Sequence, residues 1–117
     1  MSSLEVREVE RVMSRTESLA DYLRDQGRRK LDRVESRDGG RNARSALALL
    51  DAAAYTRSLK EDDPFVAVLV EAGCFGPYGA GGFDPPDRVA RVIRFWESGE
   101  PWQLLMAIRF ALQGALT

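Results

Sequence analysis

The punctuation of this chain constrains its fold more than any other feature. Asp38-Gly39-Gly40, Asp63-Pro64, the stretch Gly73–Phe83 and Ser98-Gly99-Glu100-Pro101 each combine helix-stopping with helix-starting chemistry. Between them apolar side chains recur every three or four residues, the repeat of a helix with one covered face. The pattern predicts an all-α protein: a five-helix bundle-like or orthogonal domain with a long N-terminal helix and an apolar C-terminal helix. At 117 residues the chain can bury a core without metal or disulfide support. It reads as a single helical domain over 1–117, with 1–38 a long helix or arm and 42–117 the helical core.

Ser2-Ser3-Leu4-Glu5 has capping-box spacing. Val9, Val12, Thr16, Leu19 and Leu23 then fall within about 60° of one line at 100° per residue. Leu31 and Val34 keep that phase beyond Gly27. One helix continuous to Ser36, about 50 Å long, bent at Gly27 and projecting from the rest of the chain, is therefore expected. Asn42 is the expected cap of a second helix to Leu59, with a stripe of Ala43, Leu47, Leu50 and Ala54. Leu49 points the other way, so a second face is expected to be covered too. Phe65–Val70 has strand propensity, but the preceding cap and proline and the stop at Gly73 favour a short buried helix. Asp84-Pro85-Pro86-Asp87 starts a fourth helix whose apolar face is Val89, Val92, Ile93 and Trp96. A fifth, opened by Pro101, runs to the end.

Composition narrows the chemistry. The chain has no histidine, which removes Ser/His/Asp and Cys/His systems and imidazole metal sites. Its single cysteine, Cys74, excludes an internal disulfide and fits a reducing cytoplasm. The first residues lack an apolar signal core, and no segment is long enough to span a bilayer. Fifteen arginines against two lysines, with fourteen alanines, are the bias of a GC-rich bacterial genome. The net charge of −1 creates no overall field for nucleic acid or membrane. It hides an asymmetry, since residues 1–44 carry 11 basic against 9 acidic side chains and 45–117 carry 6 against 9.

Each candidate site has a plainer structural account. Cys74 follows a helix C-terminus, the end that opposes a thiolate, and reads as a small buried hydrophobe. Glu61-Asp62-Asp63 and Asp84/Asp87 sit where carboxylates cap helices, a better account than acid–base pairs or metal ligands. The loop 73–83 holds five glycines but lacks the lysine and Ser/Thr of a phosphate loop, and Asp84 is expected to occupy the next helix start. Phe75, Tyr78 and Phe83 are expected to pin it to the core, with a small-ligand or peptide pocket as the alternative. The basic residues from Arg24 to Arg37 scatter around the helix, as in a solvated, salt-bridged arm. Arg28, Arg29, Lys30 and Arg33, with Arg91 and Arg94 of the fourth helix, remain the candidate phosphate contacts. Arg88, Arg91 and Arg94 do not sit in a compact helix-turn-helix, because the preceding connection is too long. The mirrored charges Arg7/Arg11/Arg15 and Glu17/Asp21/Asp25 lie largely off the apolar stripe and do not specify antiparallel self-pairing.

The fifth helix carries the most pointed signal. Between Pro101 and Leu116 only Arg109 is charged. Leu104, Leu105, Ile108, Ala111, Leu112 and Ala115 make a core stripe, while Trp102, Met106 and Phe110 form a second row, bordered by Gln103, Arg109 and Gln113. That mixture of aromatics, methionine and arginine is enriched at protein interfaces, although the first helix covering the row is an equal alternative. The expectation is a non-enzymatic regulatory or assembly subunit that meets another protein, or a second copy of itself, through Trp102, Met106, Arg109, Phe110 and Gln113. A nucleic-acid-binding protein using arginines of the first and fourth helices is the alternative. No catalytic residue, metal or cofactor is implied, nor any membrane partner.

Overall fold

The computed structural model describes residues 13–114, which form five α-helices and no strand. These are α1 (Arg15–Leu31), α2 (Arg41–Arg57), α3 (Pro64–Glu71), α4 (Asp87–Arg94) and α5 (Pro101–Gly114). The expected cap at Ser2–Glu5, Val9 and Val12 of the first stripe, and Ala115 of the last, lie outside the described residues.

A single helix through Ser36 is not formed. Ser14 has extended backbone and opens α1 with a capping box: its hydroxyl accepts from the Glu17 N–H, and the Glu17 carboxylate accepts from the Ser14 N–H, both at 3.1 Å. Glu61, from the α2–α3 connection, reinforces this start by accepting from the N–H groups of Arg15 at 2.8 Å and Thr16 at 3.1 Å. At the other end α1 stops at Leu31 because Asp38 organises a turn instead. Its carboxylate accepts from the N–H groups of Glu35 and Gly40 and from the Asn42 amide. Leu31 and Val34, expected in the buried stripe, are consequently exposed. Asn42 is no N-cap either. Gly40 takes that position with φ 81°, and the Asn42 side chain donates to the Arg33 carbonyl and to Asp38.

The main packing is α1 against α2. Thr16, Leu19, Ala20, Leu23 and Gly27 form the buried face of α1. The buried face of α2 is Ser45, Ala46, Ala48, Leu49, Ala52, Ala53 and Thr56; the side of Leu49 is covered as expected, but the stripe of Ala43, Leu47, Leu50 and Ala54 is not the buried one, and Leu47 is exposed. Alanine is so common on α2 that either face looks apolar, and contact with α1 decides. Gly27 permits the approach: a Cβ there would lie 3.1 Å from Leu50 and 3.2 Å from the Ala46 carbonyl oxygen. Its role is close packing within a continuous helix.

The rest of the chain adds to the same cluster. Asp63 caps α3, accepting from the Phe65 N–H at 2.8 Å, Pro64 fills the first helical position, and Gly73 leaves with φ 79°. The short buried helix expected from those residues is what forms. Phe65 and Leu69 of α3, Val89 and Ile93 of α4, and Leu104 and Ile108 of α5 join Leu19, Leu23 and Leu49 in one core. The Ser45 hydroxyl donates to the Trp96 carbonyl and ties the chain after α4 to α2.

Two outcomes follow from these contacts. Replacing Gly27 with leucine should destabilise the fold by about 1–3 kcal/mol in urea or thermal melts, because the backbone of Ala46 cannot yield as a side chain would. The bonds to Asp38, first that from Glu35, hold its carboxyl below its ordinary value of 3.8. Its contribution is therefore complete above that value and lost as pH falls through the lower folded value. Stability measured between about pH 6 and pH 2.5 should fall less steeply in Asp38→Asn than in the parent chain.

Candidate functional site

The loop 73–83 closes on itself and on α1, which leaves its backbone little to offer a phosphate. The N–H groups of Gly81 and Asp84 donate to the carbonyls of Phe75 and Cys74, at 2.8 and 2.7 Å. Ser18 accepts from the Phe83 N–H at 2.7 Å, and Arg15 donates to the Gly79 carbonyl at 2.8 Å. Phe75 and Phe83 are buried and packed together, with Tyr22 edge-on to Phe83 at 5.1 Å. They are the anchors expected of them. Tyr78 is not: it is 92% exposed, because glycines on either side at 76 and 79 turn the chain tip outward.

Cys74 is fully buried, and its thiol is raised above its ordinary value by burial, with Arg88 opposing. That suits a core hydrophobe. Among the acids, Glu61 and Asp63 cap helices, the former capping α1 rather than its own neighbour. Asp84 does not occupy the start of α4. Pro86 is the N-cap, and Asp87 in the first turn binds Arg91 through two bonds at 2.8 and 3.0 Å. Among the described residues no group of three or more carboxylate or thiol side chains is placed to hold a metal ion.

Two surfaces carry the candidate binding residues. One is a concave pocket of about 360 Å³ between α1 and α4, lined by Tyr22, Gln26, Arg29, Lys30, Arg33, Ala90 and Arg94. Of the six candidate phosphate contacts it gathers Arg29, Lys30, Arg33 and Arg94. Arg28 and Arg91 lie outside it, the latter paired with Asp87. Burial and then the charges of Arg33, Arg41 and Arg94 lower the Lys30 ammonium below its ordinary value, with Glu97 opposing. Burial raises the Tyr22 hydroxyl, against the pull of Arg94 and Arg29, so it remains a donor at neutral pH. Tyr22 and Gln26 were not singled out in the sequence. The trace available there was the four-residue step Tyr22, Gln26, Lys30, which puts all three on one helix face.

No family model, curated protein or solved structure matches this chain. Its function is therefore argued from the surfaces themselves.

The second surface is the side of α5. Trp102, Met106 and Phe110 are 53%, 47% and 65% exposed, and Arg109 and Gln113 beside them are exposed as well. Met106, Arg109, Phe110 and Gln113 line a shallow depression of about 170 Å³. Gln103, expected on the polar rim, is exposed and accepts from the Glu100 N–H at 2.7 Å, which secures the start of the helix. The opposite stripe, Leu104, Leu105, Ile108 and Leu112, is buried in the core. Among the described residues no helix is long and apolar enough to cross a membrane.

The aromatic loop provides its own check. Phe83→Ala should cost about 3 kcal/mol in a denaturant melt, as for other buried phenylalanines. Tyr78→Ala should change stability by less than about 0.5 kcal/mol.

Proposed function

We propose that this chain is a non-enzymatic interaction subunit, regulatory or assembling, that seats an amphipathic helix of another protein along Trp102, Met106 and Phe110. The observation that carries the reading is the exposure of three large apolar side chains in one row at four-residue steps. Single exposed hydrophobics are ordinary on a protein surface, but a contiguous row presents several anchors to one partner. The row suits helix-in-groove recognition, in which anchors on the partner repeat at matching three- and four-residue steps.

Charge favours a different protein over a second copy. Arg109 is the one charged residue of α5, so the α5 of another copy brings no carboxylate to it. A partner helix with an acidic residue beside its apolar stripe satisfies both the row and the guanidinium.

Phe110→Glu is the direct test. It should keep the helical circular-dichroism signal and stay within about 0.5 kcal/mol of the parent, since the side chain is largely in solvent. A photo-crosslinker at Met106 should capture, in cells, a discrete partner through a helix that carries a carboxylate. Phe110→Glu and Arg109→Glu should each abolish that product. Loss of fold in Phe110→Glu would return the row to the core. Light scattering that gives a dimer, dispersed by Phe110→Glu, would replace the foreign partner with a second copy. Identical products from a crosslinker at Arg37, in the α1–α2 connection, would remove the site altogether.

A further inference from the structure

The pocket between α1 and α4 has no part in that reading, and its chemistry is of another kind. Four cationic side chains from two helices and a turn converge on it: Arg29 and Lys30 from the last turn of α1, Arg33 from the turn that follows, and Arg94 from the last turn of α4. Proteins commonly answer such charge with carboxylates. Among the described residues, however, the ion pairs use Arg24, Arg57 and Arg91, and none of these four cations lies within 4.0 Å of a carboxylate. Acidic influence reaches Lys30 from Glu97, behind Arg33 and Arg41, and reaches Tyr22 from Asp84, behind Arg94 and Arg29. Like charges held together in a partly desolvated concavity repel one another, and a multivalent anion relieves that repulsion.

The remaining wall identifies the class of anion. Tyr22 presents a ring braced by Phe83 together with a protonated hydroxyl, and Gln26 presents an amide. Arg94 lies over the ring of Phe95 at 5.6 Å, which orients its guanidinium. At about 360 Å³ the cavity stands near the lower end of the roughly 300–1,000 Å³ range of small-molecule sites. The cations surround this hollow, whereas a nucleic-acid duplex calls for charges spread along a groove or helix face.

We propose that this pocket binds a small diphosphate-bearing ligand. Arg29, Lys30, Arg33 and Arg94 neutralise the phosphates, and Tyr22 and Gln26 hydrogen-bond the same ligand from the uncharged side. Guanidinium groups suit the task because each offers paired donors to adjacent phosphate oxygens.

Calorimetric titration with inorganic pyrophosphate, with ADP and with a 20-nucleotide single strand tests the assignment on the full chain. Pyrophosphate and ADP should each saturate one site. Arg29→Ala and Arg94→Ala should each weaken both by about tenfold or more, the loss expected for a charge-assisted contact. Arg37→Ala, which removes an exposed cation outside the pocket, should leave both unchanged. Circular dichroism on each variant separates lost binding from lost fold. Failure of pyrophosphate and ADP to saturate at low millimolar concentration overturns the proposal. So does an equal loss in Arg37→Ala, which would report general charge. Preferential binding of the single strand, with affinity falling steeply with salt, would give the surface to nucleic acid instead.

Discussion

The two longest helices of this protein meet so closely that a hydrogen atom is all that fits comfortably at Gly27. The approach rests on small residues on both sides, Ala20 and Gly27 on α1 and Ala46 and Ala53 on α2, with Leu19, Leu23 and Leu49 filling the space between. Close packing of this kind gains dispersion contacts that larger, looser side chains forfeit. Every later element is laid against the pair. Glu61 returns to the start of α1, Ser45 of α2 holds the chain after α4, and α3, α4 and α5 each contribute to the same core. Were the two helices held further apart, these long-range contacts would lose their common foundation.

Both candidate surfaces are consequences of that arrangement. Because α1 buries Leu19 and Leu23, its row Tyr22, Gln26 and Lys30 stays on the flank where α4 arrives with Arg94. Because α5 turns Leu104 and Ile108 inward, the row Trp102, Met106 and Phe110 is left outside. The net charge of −1 says nothing of either, since the cations of the pocket are balanced by acids used elsewhere as caps and in ion pairs. Glu61 and Asp63 satisfy helix starts, and Asp21 is shared between Arg24 and Arg57.

What could be read from the sequence divides along physical lines. Residues with one conformational meaning were legible. Asp63 and Pro64 start a helix, Gly73 ends it, and α3 forms between them in spite of its strand-like Phe65–Val70 run. The core stripe of α5 was legible from the spacing of Leu104, Leu105, Ile108 and Leu112. Whether the row Trp102, Met106 and Phe110 is covered was not, since one charge in that stretch does not mark the solvent side. Nor was the face of α2. Ala43 and Ala54 have the same side chain as Ala46 and Ala53, so periodicity alone does not choose between them. The end of α1 was missed because apolar phase continues past Leu31, while the determinant is a polar one, the Asp38 carboxylate collecting N–H groups across the turn. The basic residues from Arg24 to Arg37 were expected to scatter around one long helix, but that helix ends at Leu31 and leaves Arg33 and Arg37 beyond it. The pocket selects three from that region and adds a fourth from α4, a crossing of helices that no local pattern encodes.

The glycine-rich loop carries a further consequence. Five glycines make residues 73–83 unusually costly to order, since glycine has the most backbone freedom to lose on folding. A small set of grips opposes that cost: Phe75, Phe83, and the bonds to Ser18 and Arg15. Such a segment opens locally at a lower free energy than the helices beneath it. Opening withdraws the ring of Phe83 from that of Tyr22, and Tyr22 is also a wall of the α1–α4 pocket. Loop order and pocket shape are thus thermodynamically linked through one shared tyrosine. By reciprocity, a ligand that steadied Tyr22 from the proposed site would steady the loop as well.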